Sequence, residues 1–357
     1  MIQLKDISCS VGDFKLGNIS FTVADANYMA LMGPAASGKS LLLKCICGIH
    51  PIDSGRVLID GKDVTDLPPH LRNIGYVPQD YALFKHLNVA DNIGFALKIQ
   101  GKSISRRHRQ VTRVAEMLSI ENLMGRAVDT LSSAQQQSVA LARAIVSEPS
   151  VLILDEPVSG LDEAHRQEIC ALLRMIAKDL KLTVIHVSHN IEESFAVADT
   201  AVLLLNGLLE QFAPLSDLLR KPRTEFAARF MRCENIYSCE ATGAVFPGGT
   251  EVKLGSEILV LPGSFNTNVR FMIRPENIQV LKKYPGWEQD ENILPAKLIG
   301  FRDFGNYIRV ELDGPAHMVA HLSYNSFKKI DIPKETDLLA WLPRESIHVL
   351  EDEQPAD

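Results

Sequence analysis

An α/β domain built around a parallel sheet, followed by a smaller all-β domain, is the architecture that the 357-residue sequence predicts, and three observations carry it. An apolar run at residues 28–32 leads through a glycine-bounded loop into a helical stretch at 41–47 that ends at Gly48. Two more continuous apolar runs, 151–154 and 182–187, read as strands buried on both faces, and each delivers polar residues at its carboxyl end. From Ile236 onward the helical period gives way to short strand-like pieces set off by Gly, Pro and Asn.

The length suggests two domains, each large enough to bury a core. Hydrophobic content of 46% and charged content of 23% are those of a soluble globular protein. A formal net charge of -7 counts against a general nucleic-acid binder, which usually carries a basic surplus. No apolar run approaches the length of a membrane-spanning helix, and the N-terminus lacks a basic-then-apolar export signal. The expectation is a chain that neither crosses a membrane unaided nor leaves the cell by that route. Cys9, Cys45, Cys47, Cys170, Cys233 and Cys239 lack the paired spacing of a zinc site and read as reduced, mostly buried thiols.

In chain order, residues 1–23 alternate apolar and polar in short pieces, with turn signals at Gly12-Asp13 and Gly17-Asn18, as in a small antiparallel sheet. After the loop helix, residues 53–61 have hairpin grammar, and the apolar piece 74–77 stops at Pro78 and delivers Gln79. Two amphipathic helices follow at 89–100 and 105–118; the run Arg106, Arg107, His108, Arg109 reads as a solvated face, with partner contact as the alternative. Residues 131–137 form a Ser- and Gln-rich segment that opens a helix at 138–147. A tight hairpin is expected at 201–212, and a helix at 225–233 closes the first domain.

The chemistry concentrates at Gly33, Pro34, Ala35, Ala36, Ser37, Gly38, Lys39 and Ser40, which fit the spacing G-x-x-x-x-G-K-S/T. The glycines let the backbone curl so that successive N–H groups and a helix N-terminus converge on anionic oxygens. Lys39 would then reach terminal phosphates and Ser40 a magnesium ion. Asp155 and Glu156, adjacent acids at the end of a buried strand, are costly unless a metal and a polarised water use them; Asp155 is the metal-side acid and Glu156 the base. His189 sits at the carboxyl end of another strand, where ligands of parallel sheets bind. Phe14 is either a core aromatic or a stacking surface for adenine.

With these pieces in order, residues 1–235 resemble the ATP-binding-cassette (ABC) ATPases, specifically the nucleotide-binding subunits of transporters. The resemblance implies a P-loop NTPase cassette with antiparallel β and helical subdomains, the helical one at about 88–147. Residues 33–40 look like the Walker A loop, Gln79 the Q-loop, Leu131 to Gln135 the signature, Val151 to Glu156 the Walker B strand, Asp162 part of the D-loop, and His189 the H-loop switch. It further implies a head-to-tail homodimer holding two ATP with Mg2+, each between the Walker loops of one subunit and Ser132, Ala134 and Gln135 of the other. Glu156 would activate water, Lys39 and His189 would stabilise the transferred phosphoryl group, and Gln79 would join Ser40 and Asp155 at the metal. Integral-membrane permeases, and indirectly an extracytoplasmic solute-binding protein, would be the partners, with the chain peripheral on the cytoplasmic face of the plasma (inner) membrane.

Two departures stand out. Ser133 and Ala134 occupy the usual glycines of the signature, and Ser138 the usual arginine, which predicts slow but non-zero hydrolysis. Val11 stands near where an aromatic often packs on adenine. Residues 236–357 are similar to the regulatory C-terminal barrels (OB/TOBE-like) of importers for oxyanions, iron, polyamines or sugars, on the phrases at 274–278 and 341–348. Residues 234–236 and 76–84 lean toward the molybdate/tungstate branch, with ferric iron, sulfate and polyamine importers as alternatives. The Lys-Ser pair which that branch uses for the oxyanion is not evident near Arg344, so a dimer-stabilising barrel is the expectation over a ligand-binding one. A weakly hydrolysing or non-hydrolysing nucleotide-dependent regulator is the competing class, and retention of Glu156 and His189 weighs against it. Residues 285–292 read as a polar loop and 351–357 as an acidic tail.

Overall fold

The computed structural model describes residues 1–246, 249–282, 291–330 and 337–351. Contacts divide the chain into two compact units, Met1–Leu215 and Ser216–Asp357. In the first, β1 (Ile2–Val11) and β2 (Phe14–Val23) form a hairpin and are followed by β3 (Tyr28–Met32) and α1 (Lys39–Cys47). Then come β4 (Ser54–Ile59), β5 (Lys62–Asp63), β6 (Ile74–Val77), and the helices α2 (Val89–Ile99), α3 (Ile104–Met117) and α4 (Ser133–Ile145). The unit continues with β7 (Val151–Asp155), α5 (Glu163–Asp179), β8 (Thr183–Val187), α6 (Ile191–Val197), β9 (Thr200–Leu205) and β10 (Leu208–Pro214).

Two sheets result. One is antiparallel, in the order β2-β1-β4-β5; the other runs β10-β9-β3-β8-β7-β6 and is parallel except for β10. The continuous apolar runs follow from burial on both faces of this second sheet. Leu152, Leu154 and Val184 face the helical side with α2, α3 and α4, whereas Val151, Ile153, Ile185, Met29 and Leu31 face α1 and the antiparallel sheet. On α1, Leu42, Leu43 and Ile46 are fully buried against that second face. Each such side chain contributes about 1.5–3 kcal/mol of burial, so the loop helix is held by packing rather than by its short length.

Two expectations need correcting here. Gly17-Asn18 is not a turn but an irregularity inside β2, with Asn18 at φ 49° and register shifts on either side of Ile7↔Ile19. A single extra residue bends a strand without ending it, and composition alone does not separate the two cases. The helix expected from 138 starts at Ser133, because Ser132 caps it: its side chain accepts from the Gln135 N–H while the Gln135 side chain accepts from the Ser132 N–H.

The second unit holds α7 (Leu215–Arg220, from the boundary), α8 (Glu225–Phe230), β11 (Asn235–Phe246), β12 (Gly249–Leu254), β13 (Glu257–Leu261) and β14 (Val269–Ile273). These are followed by β15 (Gln279–Leu281), β16 (Ile293–Asp303), β17 (Ile308–Asp313), β18 (Met318–Leu322), α9 (Tyr324–Ile330), β19 (Asp337–Trp341) and β20 (Ile347–Val349). Two five-stranded antiparallel sheets, β13-β12-β11-β14-β20 and β15-β19-β16-β17-β18, enclose a core of Val252, Leu259, Phe271, Val310, Leu312 and Ala340. The longest strand, β11, carries Ser, Glu and Thr among its apolar residues and gave no strand signal; β15, β18 and the short α9 also escaped the sequence reading. Residues 285–290 of the expected polar loop and 352–357 of the expected tail lie outside the described residues. Asn292 at the loop's end is buried, where it accepts from Val260 N at 2.7 Å and donates to Val260 O at 3.0 Å.

Candidate functional site

Because β3, β8, β7 and β6 are parallel neighbours in that order, their carboxyl ends form one edge. That edge receives the glycine-bounded loop from β3, His189 from β8, Asp155 and Glu156 from β7, and Gln79 from β6. Gly33 has φ +147°, and a Cβ there would meet the Leu204 carbonyl oxygen at 2.3 Å; Gly38 has φ +100°, and its Cβ would meet Leu16 Cδ2 at 2.6 Å. Neither position admits a side chain. Between them Ala36 takes a left-handed φ of 61°, a strain of about 1–2 kcal/mol for a residue with a Cβ. Lys39 is buried and folds back on the loop, donating to Gly33 O at 2.9 Å, Pro34 O at 2.7 Å and Ser37 Oγ at 3.3 Å. Burial lowers its pKa, and the carboxylates of Glu156 and Asp155 act against that lowering.

Asp155 is buried and accepts from two hydroxyls, Ser40 Oγ at 3.4 Å and Tyr76 Oη at 3.4 Å. Burial, then the neighbouring charge of Glu156, raises its pKa from the ordinary aspartate value. Glu156 follows it in a left-handed conformation, φ 49°, that turns the side chain away from the strand direction. Its carboxylate meets His189 Nε2 through Oε1 and receives Gln79 Nε2 through Oε2 at 3.2 Å. The set of Ser40 hydroxyl, Asp155 carboxylate and Gln79 amide offers hard oxygen ligands, the donor type that magnesium takes.

Phe14, Ala35, Ala36, Ser37, Gly38, Lys39, Ser40, Glu156 and His189 line one cavity of about 540 Å³, with Leu41 completing it. Phe14 also packs on the core, as the first of its two readings expects. Gly33 and Pro34 bind Lys39 from behind the lining, and Gln79 and Asp155 reach the cavity through Glu156 and Ser40. Ser132, Ala134, Gln135 and Asp162 do not line it. The first three form the opening turn of α4, and Asp162 caps α5 by accepting from His165 N at 3.1 Å. Val11 is exposed and is not among the lining residues.

Two supporting groups went unnoticed in the sequence. Tyr76 holds Asp155, and only its place three residues before Gln79 hinted at it. Glu193 accepts from Ser188 Oγ at 2.8 Å and pairs with the buried His186 Nε2 at 2.7 Å, while His186 Nδ1 meets Tyr28 Oη at 2.8 Å. This buried chain ties β3, β8 and α6 together directly behind His189. Its signal was an acid one helical turn after a strand-end histidine, which is common on solvated helices.

Residues 16–159 match the family model of the ABC transporters. Over 350 residues the chain is 35% identical to the molybdate/tungstate import ATP-binding protein WtpC of Pyrococcus horikoshii, spanning 98% of this chain and 99% of that protein. It is 41% identical over 231 residues to the protein of the same name in Methanocaldococcus jannaschii (65% of this chain, 76% of that one). It is 33% identical over 316 residues to the spermidine/putrescine import ATP-binding protein PotA of Clostridioides difficile (88% of each). Among solved structures, the dimeric post-hydrolysis state of the ATP-binding cassette MJ0796 bound to ADP and Pi has a TM-score of 0.55 at 26% identity, covering 60% of this chain and 99% of that one.

Proposed function

This chain belongs to the ABC transporter family, and on that premise we propose that it is the ATP-binding and hydrolysing subunit of an importer that takes up molybdate or tungstate. Its partners are a second copy of itself and an integral-membrane permease, which it meets as a peripheral subunit at the cytoplasmic face of the membrane and which a solute-binding protein serves from outside. The observation that carries the reading is the Glu156 carboxylate, held between His189 and Gln79 at the mouth of the phosphate loop. A carboxylate placed there takes the proton of an attacking water, and His189 and Lys39 meet charge that develops on the phosphoryl oxygens. Magnesium, when bound, adds charge neutralisation across the phosphates, and Ser40, Asp155 and Gln79 are the residues that would hold it. The side chains of Ser132 and Gln135, with the opening N–H groups of α4, would face the nucleotide of the other subunit.

The choice of oxyanion cargo rests on relatives aligned over nearly the whole chain, including the second unit. Reconstitution with the permease and binding protein tests it: molybdate or tungstate should stimulate phosphate release more than sulfate or spermidine does. Equal stimulation by spermidine would remove the cargo assignment. Turnover no greater than that of Glu156→Gln would favour instead the non-hydrolysing regulator, for which the altered signature is the motive.

A further inference from the structure

Away from the nucleotide cavity, three soft side chains that the sequence scatters are brought together. Cys9 lies on β1, Cys45 in the last turn of α1 and His50 just beyond that helix, and their ligand atoms all fall within 4.8 Å of one another. Cys9 and Cys45 are buried and His50 is half-buried. Cys9 Sγ is 3.4 Å from His50 Nδ1. Around a tetrahedral zinc ion, with Zn–S of about 2.3 Å and Zn–N of about 2.0–2.1 Å, sulfur and nitrogen ligands stand roughly 3.5 Å apart. The pair therefore already has ligand spacing.

The backbone holds the three in place. Cys9 sits where β1 is irregular toward both neighbours, with register shifts between Ile7 and Cys9 against β2 and between Lys5 and Ser8 against β4. Ile7, Ser8 and Cys9 are consecutively buried as a result, which aims Cys9 inward where strict alternation would not. His50 is tied to the same helix turn as Cys45: after the left-handed cap Gly48, the N–H groups of Ile49 and His50 both donate to Lys44 O, at 2.9 and 3.1 Å.

We propose that Cys9, Cys45 and His50 form a three-ligand site for a thiophilic d10 cation, Zn2+, that clamps the antiparallel sheet to the phosphate-loop helix and leaves a fourth position open on the half-exposed histidine side. Burial, then the adjacent Cys9 thiol, pushes the Cys45 thiol up to about 12, with the Arg72 charge favouring the thiolate and Asp53 opposing it. Binding exchanges two thiol protons, released to solvent, for one Zn2+. His50 Nδ1 now lies 2.7 Å from the Pro51 carbonyl, which Cys9 Sγ also approaches at 3.5 Å; on binding, the imidazole would turn from that carbonyl, with its proton on Nε2, to present the Nδ1 lone pair to the metal.

The test uses the full-length, metal-stripped, reduced chain without nucleotide, with Co2+ as probe and Zn2+ as competitor. Sulfur-to-cobalt charge-transfer absorption should appear at one equivalent and vanish on adding Zn2+; carboxylates at the nucleotide site cannot produce it. Cys9→Ser and Cys45→Ser should abolish the band and His50→Ala should weaken binding at least tenfold, whereas Cys170→Ser, which removes another buried thiol, should change nothing. If the buried serine variants fail to fold, the half-exposed His50→Ala carries the comparison: Zn2+ should raise the melting temperature of the parent chain and not that of the variant. No charge-transfer band in the parent, an unweakened band in His50→Ala, or a Cys9–Cys45 disulfide forming in air while the reduced chain takes up no cobalt would each overturn the proposal.

Discussion

Asp155 carries two opposed demands. In its proposed role the carboxylate is ionised to face a magnesium ion, yet burial and the Glu156 charge hold its pKa above the unfolded value. A raised acid pKa means that the folded state binds more protons than the unfolded one, so stability declines as pH climbs from the ordinary carboxylate value through the folded one and remains lower at neutrality. Asp155→Asn should accordingly raise the melting temperature of the nucleotide-free chain at pH 7, by about 2–4 °C for each kcal/mol relieved, while abolishing magnesium-dependent hydrolysis. A variant that melts lower at pH 7 would contradict this account. Glu156→Gln is the complementary change: loss of the general base should reduce turnover by about 10²–10⁴-fold with ATP binding retained, read by nucleotide titration beside phosphate release.

At the scale of elements, α4 explains how an altered signature is tolerated. Ser133 and Ala134 lie within the helix, and neither appears among the positive-φ residues, so replacing the usual glycines costs no backbone strain. What remains is the bulk of two Cβ groups at the surface proposed to approach phosphate. The double substitution Ser133→Gly/Ala134→Gly should raise turnover several-fold and destabilise the helix by at most about 1 kcal/mol per site. Unchanged turnover would mean that the Cβ groups do not set the rate. Ser132→Ala should cost about 1 kcal/mol through loss of the capping box, besides any loss of nucleotide contact, and chemical denaturation separates the two effects. The helix start was missed in the sequence because a Ser/Gln-rich segment reads equally as loop or as first turn; reciprocal side-chain capping decides between them.

For the whole molecule, the decisive feature is what a single copy lacks. Ser132, Ala134 and Gln135 stay off the cavity that the loop residues line, as the proposed site shared between two copies requires. With the permease supplied, Mg-ATP should bring two copies of Glu156→Gln into one sedimenting particle, read by cross-linking between the copies, and hydrolysis-competent chain should return to the starting state as ATP is consumed. A Glu156→Gln form that stays unpaired under those conditions would refute the shared-site reading. Among the described residues no helix is long and apolar enough to cross a membrane.

The sequence by itself marked the glycine-bounded loop, the acids at the end of β7 and the histidine after β8, which line or adjoin one cavity, because spacing and strand burial are local and leave a periodic trace. It also marked the change to strand-rich structure after residue 235 through turn residues, though the second unit begins at Ser216 and carries the short helices α7, α8 and α9. Only the tertiary structure decided which strand ends are neighbours: the order β3-β8-β7-β6, which brings Gln79, Glu156 and His189 together, is set by packing on both faces of one sheet and leaves no mark on any single strand. The same holds for Tyr76 beneath Asp155 and for Cys9 beside Cys45 and His50, whose meeting depends on a bulge and a helix cap acting from separate elements.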